Sequence, residues 1–265
     1  MQKLTPLILS FLIVTSCSPQ KETAVDTSSE AIEIEDNPPA EGFNIEGSDP
    51  QAIKIADDVM TAMGGRKAWD NLRGISWNFF DYRKLYWDKW TGNVRVEYLK
   101  EDREAIVNIN SGEGKVLMNG AEVSNPDSLA KYLDQAKSAW INDAYWLVMP
   151  FKLKDSGVTL QFIDSDTTMD GKDAYLLSLK FKDVGVTPDN YYEIWVDSES
   201  KLISQWAYYQ SIENDTPRFT MPWKSYKDFK GVKLSGDRGE RQITEIKVYE
   251  SFPETFFTDF SPVNI

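Results

Sequence analysis

Apolar and polar positions alternate along this chain in two rhythms. From Gln51, the apolar residues Ala52, Ile55, Ala56, Val59, Met60 and Met63 recur every three or four positions, which gathers them on one helical face. Gly64-Gly65 reads as the stop, and 66–72 as a short second turn. The period then drops to two. Ile75, Trp77 and Phe79 share a face, as do Leu85 and Trp87, then Val94, Val96 and Tyr98, then Ala105, Val107 and Ile109. That alternation belongs to strands with one covered face.

Helical spacing returns in 126–149 through Leu129, Tyr132, Leu133, Ala136 and Trp140, and Pro150 closes it. This segment reads as an inserted helical pair. Strand rhythm resumes in Tyr175, Leu177, Leu179 and Phe181, in Tyr192, Ile194 and Val196, and in Leu202, Ser204, Trp206 and Tyr208. The expected fold is mostly antiparallel β (α+β), with about ten strands, one early helix and one helical insertion. No further domain boundary is visible between 51 and 265.

Local wording sharpens this. The run Tyr191-Tyr192-Glu193-Ile194-Trp195-Val196-Asp197 precedes a short turn and Lys201-Leu202-Ile203, and Gly171-Lys172-Asp173-Ala174-Tyr175-Leu176-Leu177 stands before it. Tyr226-Lys227-Asp228-Phe229-Lys230-Gly231-Val232-Lys233-Leu234 follows as a hairpin. Together with the element order, these resemble the outer-membrane lipoprotein-sorting (Lol) carriers and receptors and related lipid-holding envelope lipoproteins, over 51–260. The resemblance implies a strongly curved antiparallel sheet, an unclosed barrel whose open side is covered by helices. The sorting carriers lack a lipid anchor, and their functional arginine and protruding leucine loop match no numbered residue here. Sorting activity is therefore not implied.

The N-terminus changes the picture. Lys3, an apolar run from Leu4 to Val14 and small residues before Cys17 have the form of an export signal. Val14-Thr15-Ser16-Cys17 resembles the bacterial lipobox, which implies lipidation of Cys17 and a signal peptide over 1–16. It is the only cysteine in the chain. Residues 17–50 carry nine acids (Glu22, Asp26, Glu30, Glu33, Glu35, Asp36, Glu41, Glu46, Asp49) against Lys21 alone. Such a segment buries too little to offset its ordering entropy. The expected organisation is a lipidated, disordered acidic tether (17–50) and one half-barrel domain (51–265), in a bacterial envelope protein anchored to the bilayer at the outer membrane.

Charge and composition exclude more than they assign. The net charge of −13 argues against nucleic acid. The absence of histidine removes imidazole acid/base chemistry, His-paired nucleophiles and His-ligated zinc. Asp164, Asp166, Asp170 and Gly171 fail as a calcium loop, since Met169 stands at the glycine position and Tyr175 at the closing glutamate position. Ser111–Val116 fails as a phosphate loop. No spacing selects a catalytic carboxylate pair, so a carbohydrate-processing enzyme is the least favoured reading. No metal, cofactor or enzymatic activity is expected.

One stretch resists a purely structural reading. In "INDAYWLVMPFKLKDSG" (141–157), a polar segment turns abruptly into Ala144–Phe151, too short for a membrane span. Its apolar face, with Trp140, Tyr145, Trp146 and Met149, either plugs the half-barrel as core or forms a lid over a cavity for acyl chains. Together with the strand aromatics Trp77, Phe79, Trp87 and Trp206, these are the candidate ligand-binding residues, for a lipid or other hydrophobic molecule. The alternative is a structural or interaction lipoprotein with a filled core.

Overall fold

Asp49 and Pro50 start the first helix. The Asp49 carboxylate accepts the Gln51 N–H at 2.8 Å, and proline takes a first-turn position where no N–H is needed. α1 (Pro50–Ala62) buries Ala52, Ile55, Ala56, Val59 and Met60, the stripe legible in the sequence. Beyond its end Gly64 has φ +115° and sits so close to the Gly231 carbonyl that a Cβ would collide with it. α2 (Arg66–Asn71) follows. The computed structural model describes residues 36–182, 184–185 and 190–261. The expected signal peptide, Cys17 and the tether up to residue 35 lie outside them.

Strands β1 (Gly74–Phe79), β2 (Arg83–Asp88), β3 (Asn93–Tyr98), β4 (Arg103–Asn108), β5 (Gly114–Met118) and β6 (Ala121–Glu122) form a meander. After α3 (Pro126–Val148), a second meander comprises β7 (Val158–Thr167), β8 (Asp173–Phe181), β9 (Tyr191–Asp197), β10 (Ile203–Tyr209) and β11 (Phe219–Pro222). A hairpin of β12 (Lys227–Phe229) and β13 (Val232–Leu234) leads to β14 (Asp237–Arg238) and β15 (Arg241–Tyr249). β15 returns to pair with β1, so the larger sheet runs β14-β15-β1-β2-β3-β4-β5-β6 and the smaller β11-β10-β9-β8-β7. The bridge Lys224↔Asp237 links them beside β11 and β14. Among the described residues β6 and β7 do not pair, so the barrel is unclosed.

Both sheets turn one face to a single core. Trp77, Leu85, Val96 and Val107 enter it from the larger sheet, and Leu160, Leu177, Ile194 and Trp206 from the smaller, with α1 and Leu147 of α3 among them. Strands so far apart in sheet order reach one core only if the sheets curve around it. On the other face of the larger sheet, Phe256 meets Tyr86 edge-on at 5.0 Å and lies under the Arg95 guanidinium at 5.1 Å.

Four expectations need correction. The described chain has fifteen strands instead of about ten, because β6 and β12 to β14 are only two or three residues long. The insertion is one continuous helix instead of a pair: no breaker stands between Pro126 and Val148, and Pro150 falls in the 3-10 turn Met149–Phe151. Strict alternation through β10 fails at an irregularity between Ile203 and Gln205, which puts both Ile203 and Trp206 in the core.

The last correction concerns the domain start. Residues 37–49 belong to the folded unit: Phe43 is buried, and Asn44 and Asp49 donate backbone N–H groups to Val158 and Leu160 at 3.0 and 2.9 Å. Ser48 Oγ accepts the Leu160 N–H at 3.0 Å. This segment covers the edge of β7, which would otherwise offer an unpaired ladder. The acidic composition hid Phe43 and the backbone pairing, neither of which depends on charge.

Candidate functional site

α3 brings the site together. Asn125 caps it, accepting the Ser128 N–H at 2.9 Å. Its C-terminal half is held by two arginines from distant strands. Arg83 of β2 grips Asp143 with two bonds, Nε to Oδ2 at 2.6 Å and Nη2 to Oδ1 at 2.9 Å, and Asn142 donates to the same carboxylate at 2.9 Å. Asp143 is fully buried; burial pushes its carboxyl up against the opposing pull of Arg83. Arg238 of β14 donates to the Trp146 carbonyl at 2.5 Å and lies 3.4 Å over the Trp223 ring. A cation at the last carbonyls of a helix also complements its dipole. Burial lowers Arg238 to about 9.

Between this half of α3 and the concave side of the smaller sheet lies a cavity of about 650 Å³. From α3 it is lined by Trp140, Ala144, Tyr145, Trp146 and Val148. Facing them are Phe181 of β8, Tyr192 of β9, Trp206 and Tyr208 of β10, Phe219 of β11, and Trp87 of β2. The rings of α3 and the smaller sheet from Phe181 to Phe219 touch one another in a continuous set, and Trp87 and Trp140 form a separate pair. Trp206 stacks on Tyr192 (5.4 Å, 5°), Trp146 stands edge-on to Trp206 (4.8 Å, 87°) and meets Phe219 at 5.4 Å. Tyr145 touches Tyr192 at 5.4 Å, and Trp87 and Trp140 meet edge-on at 5.1 Å. Burial pushes the phenols of Tyr145 and Tyr192 well above their usual range, keeping both neutral at any working pH.

The charged residues in the lining are Lys152, Asp155, Arg218 and Arg241. Lys152 pairs with Asp155. Among the described residues Asp155 is thus the one carboxylate of the lining, and no second described acid converges on it as glycoside hydrolysis requires. Among the described residues, no group of three or more Asp, Glu, His or Cys side chains is placed to hold a metal. The Asp164–Gly171 stretch is a hairpin whose acids are engaged singly, Asp166 by the Trp195 indole at 2.7 Å and Asp170 by Lys224.

Of the eight residues expected from the sequence, Trp87, Trp140, Tyr145, Trp146 and Trp206 line the cavity. Trp77, Phe79 and Met149 do not. They are 0%, 6% and 0% exposed and belong to the packed core. The choice between plug and lid for 144–151 therefore divides by helical phase. Consecutive side chains point about 100° apart, so Tyr145 and Trp146 face the cavity while Leu147, Met149 and Phe151 plug the core. Phe151 ends the run stacked on Trp69 (4.1 Å, 8°). Phe181, Tyr192, Tyr208, Phe219, Arg218 and Arg241 are site residues that the sequence does not single out. The shared strand face of Tyr192 with Ile194 and Val196 was visible; what it faced was not.

The indole N–H groups of Trp87, Trp140 and Trp206 and the Tyr145 hydroxyl have no hydrogen-bond partner, but neither have the core indoles of Trp77 and Trp223. Unpaired donors therefore do not single out the cavity. A second cleft of about 450 Å³ lies between the β12–β13 hairpin and β15. Its Asp237 carboxylate already accepts from Ser225 at 2.7 Å, Gln242 at 2.9 Å and the Gly239 N–H at 3.0 Å, bonds that hold it below the usual carboxylate range.

No family model matches the chain, and no curated protein does. Among solved structures it is similar to a DUF1329 family protein from Desulfovibrio piger, at 11% identity and a TM-score of 0.46 over 78% of this chain and 96% of that one. It is also similar to a LolA superfamily protein from Nitrosomonas europaea, at 11% identity and a TM-score of 0.37 over 78% and 97% of the two chains. Similarity at this level transfers no function.

Proposed function

We propose that the protein is a lipid-anchored lipoprotein of a bacterial cell envelope that holds a lipid or other hydrophobic ligand between α3 and the smaller sheet. One observation carries this reading: a half-barrel interior that leaves about 650 Å³ lined by aromatic side chains. Ligand sites typically occupy about 300–1,000 Å³ with apolar walls and few polar groups. A filled structural core would leave no such space. A chain of ten methylenes leaving water gains about 8 kcal/mol, within the range of the association cost of about 4–15 kcal/mol that it must offset.

The anchor is Cys17, acylated after cleavage behind Ser16, and the outer membrane is its proposed location. No helix of the described residues is long and apolar enough to cross a membrane. The acidic stretch after Cys17 holds the domain off the bilayer.

The test is native mass spectrometry of the Cys17→Ser chain purified without detergent, followed by organic extraction. A stoichiometric lipid mass that is lost in Trp146→Asp supports the reading. A clean apo mass with no uptake of added fatty acid or phospholipid overturns it. The intact mass of the wild-type mature N-terminus checks the anchor, which must be gone in Cys17→Ser.

A further inference from the structure

The charge at the cavity is opposite to that of the protein. The chain carries −13, yet the one carboxylate of the lining among the described residues, Asp155, is neutralised by Lys152. That leaves Arg218 and Arg241, neither of which makes an ion pair with a described residue. The nearest acids in sequence, Glu213, Asp215 and Glu240, are exposed and outside the lining. Arg218 lines the cavity beside Phe219, which meets Trp146 at 5.4 Å. Arg241 lies 5.7 Å over Phe80, which stands edge-on to Trp146 at 5.3 Å.

The backbone at Phe80 strengthens the argument. Phe80 has φ 53° and Asp81 φ 56°, the left-handed region, which a bulky side chain occupies at a cost. The turn that imposes this conformation puts the Phe80 ring between Trp146 and the Arg241 guanidinium. A ring so placed supports the cation from its face and leaves its N–H groups free to donate.

Building on the hydrophobic-ligand reading above, we propose that the ligand is a single-chain amphiphile with an anionic head group, its tail in the aromatic cavity and its head on Arg218 and Arg241. The volume suits one chain. Two arginines without an ion pair among the described residues select carboxylate, sulfate or phosphate over neutral and cationic heads, because a charged acceptor makes the stronger hydrogen bond with a guanidinium.

The experiment compares three twelve-carbon probes below their micellar concentrations by calorimetry on the Cys17→Ser chain: dodecanoate, dodecyl maltoside and dodecyltrimethylammonium. The expected result is a preference of about tenfold for dodecanoate over the maltoside, the scale of one charge-assisted hydrogen bond. The preference should shrink at high salt and fall to within about twofold in Arg218→Gln/Arg241→Gln. Dodecanoate and maltoside binding equally well to the wild type overturns the inference and leaves the hydrophobic-cavity reading standing. A preference that survives the double substitution also overturns it. No binding of any probe to a folded chain overturns both readings.

Discussion

The Trp146 indole stands edge-on to the Trp206 indole, centroids 4.8 Å apart and planes at 87°. Through this contact the inserted helix meets β10 of the smaller sheet at the cavity wall. Both residues line the cavity, but Trp206 is 1% exposed and Trp146 only half-buried. Their truncations should therefore differ. Trp206→Ala removes a core side chain and should cost about 3–5 kcal/mol. Trp146→Ala borders existing space and should cost about 1–2 kcal/mol, in line with an aromatic contact and partial burial. Urea unfolding of both variants reads the difference; equal losses would mean that Trp146 is ordinary core.

The Arg83–Asp143 pair should behave as one unit. Breaking a buried pair from one side costs about 3 kcal/mol or more, because the remaining charge stays buried. Arg83→Ala and Asp143→Ala are each expected at that level, and the double variant well below their sum. A double-mutant cycle measures this. Additive losses would show that Arg83 and Asp143 do not act as one unit.

Residues 37–49 should matter where the preceding ones do not. Removing the chain through residue 35 should leave the urea midpoint unchanged. Removing it through Asp49 withdraws buried Phe43 and the backbone bonds to β7, for a loss of at least about 2 kcal/mol. It also bares an edge strand, so concentration-dependent aggregation should appear in light scattering.

Lys89 makes a pH prediction unusually clean, because the chain has no histidine. Its ammonium lies 3.5 Å over the Trp69 ring and donates to the Trp69 carbonyl. Burial lowers its pKa to about 7, with Asp70 opposing and Arg66 adding to the shift. A lysine lowered on folding holds its proton more weakly in the native state than in the unfolded one. Stability should thus rise with pH from about 7 to 8, below the pH at which Arg238, lowered to about 9, is half titrated. In Lys89→Met that rise should be absent. Urea midpoints of the Cys17→Ser chain at pH 7, 7.5 and 8, with and without the substitution, decide it.

Much of this molecule is legible in its sequence because strand and helix periods depend on local geometry. Ile75, Trp77 and Phe79 alternate into the core as expected, and the α1 stripe is buried residue for residue. The cavity is harder to read, because cavity and core use the same side chains. Trp77 and Trp87 both face inward from neighbouring strands, yet only Trp87 reaches the open space. What separates them is the position of α3, which is fixed by Arg83 and Arg238, 60 and 92 residues away from their partners. Arg218 and Arg241 carry no local signal at all. They meet the cavity only because β11 and β15 flank β14 near the junction of the two sheets.

The central claim is that the space between α3 and the smaller sheet takes up one hydrophobic chain, and four tryptophans in its wall report on that directly. The decisive measurement is quenching of tryptophan fluorescence by a dibrominated stearate, titrated into the Cys17→Ser chain. Bromine quenches only on close approach, so a chain beside Trp87, Trp140, Trp146 and Trp206 should give strong, saturable quenching at one ligand per protein, competed away by unbrominated stearate. Weak quenching that rises linearly and is not competed would contradict it, and would make the aromatic walls part of a scaffold that binds nothing there.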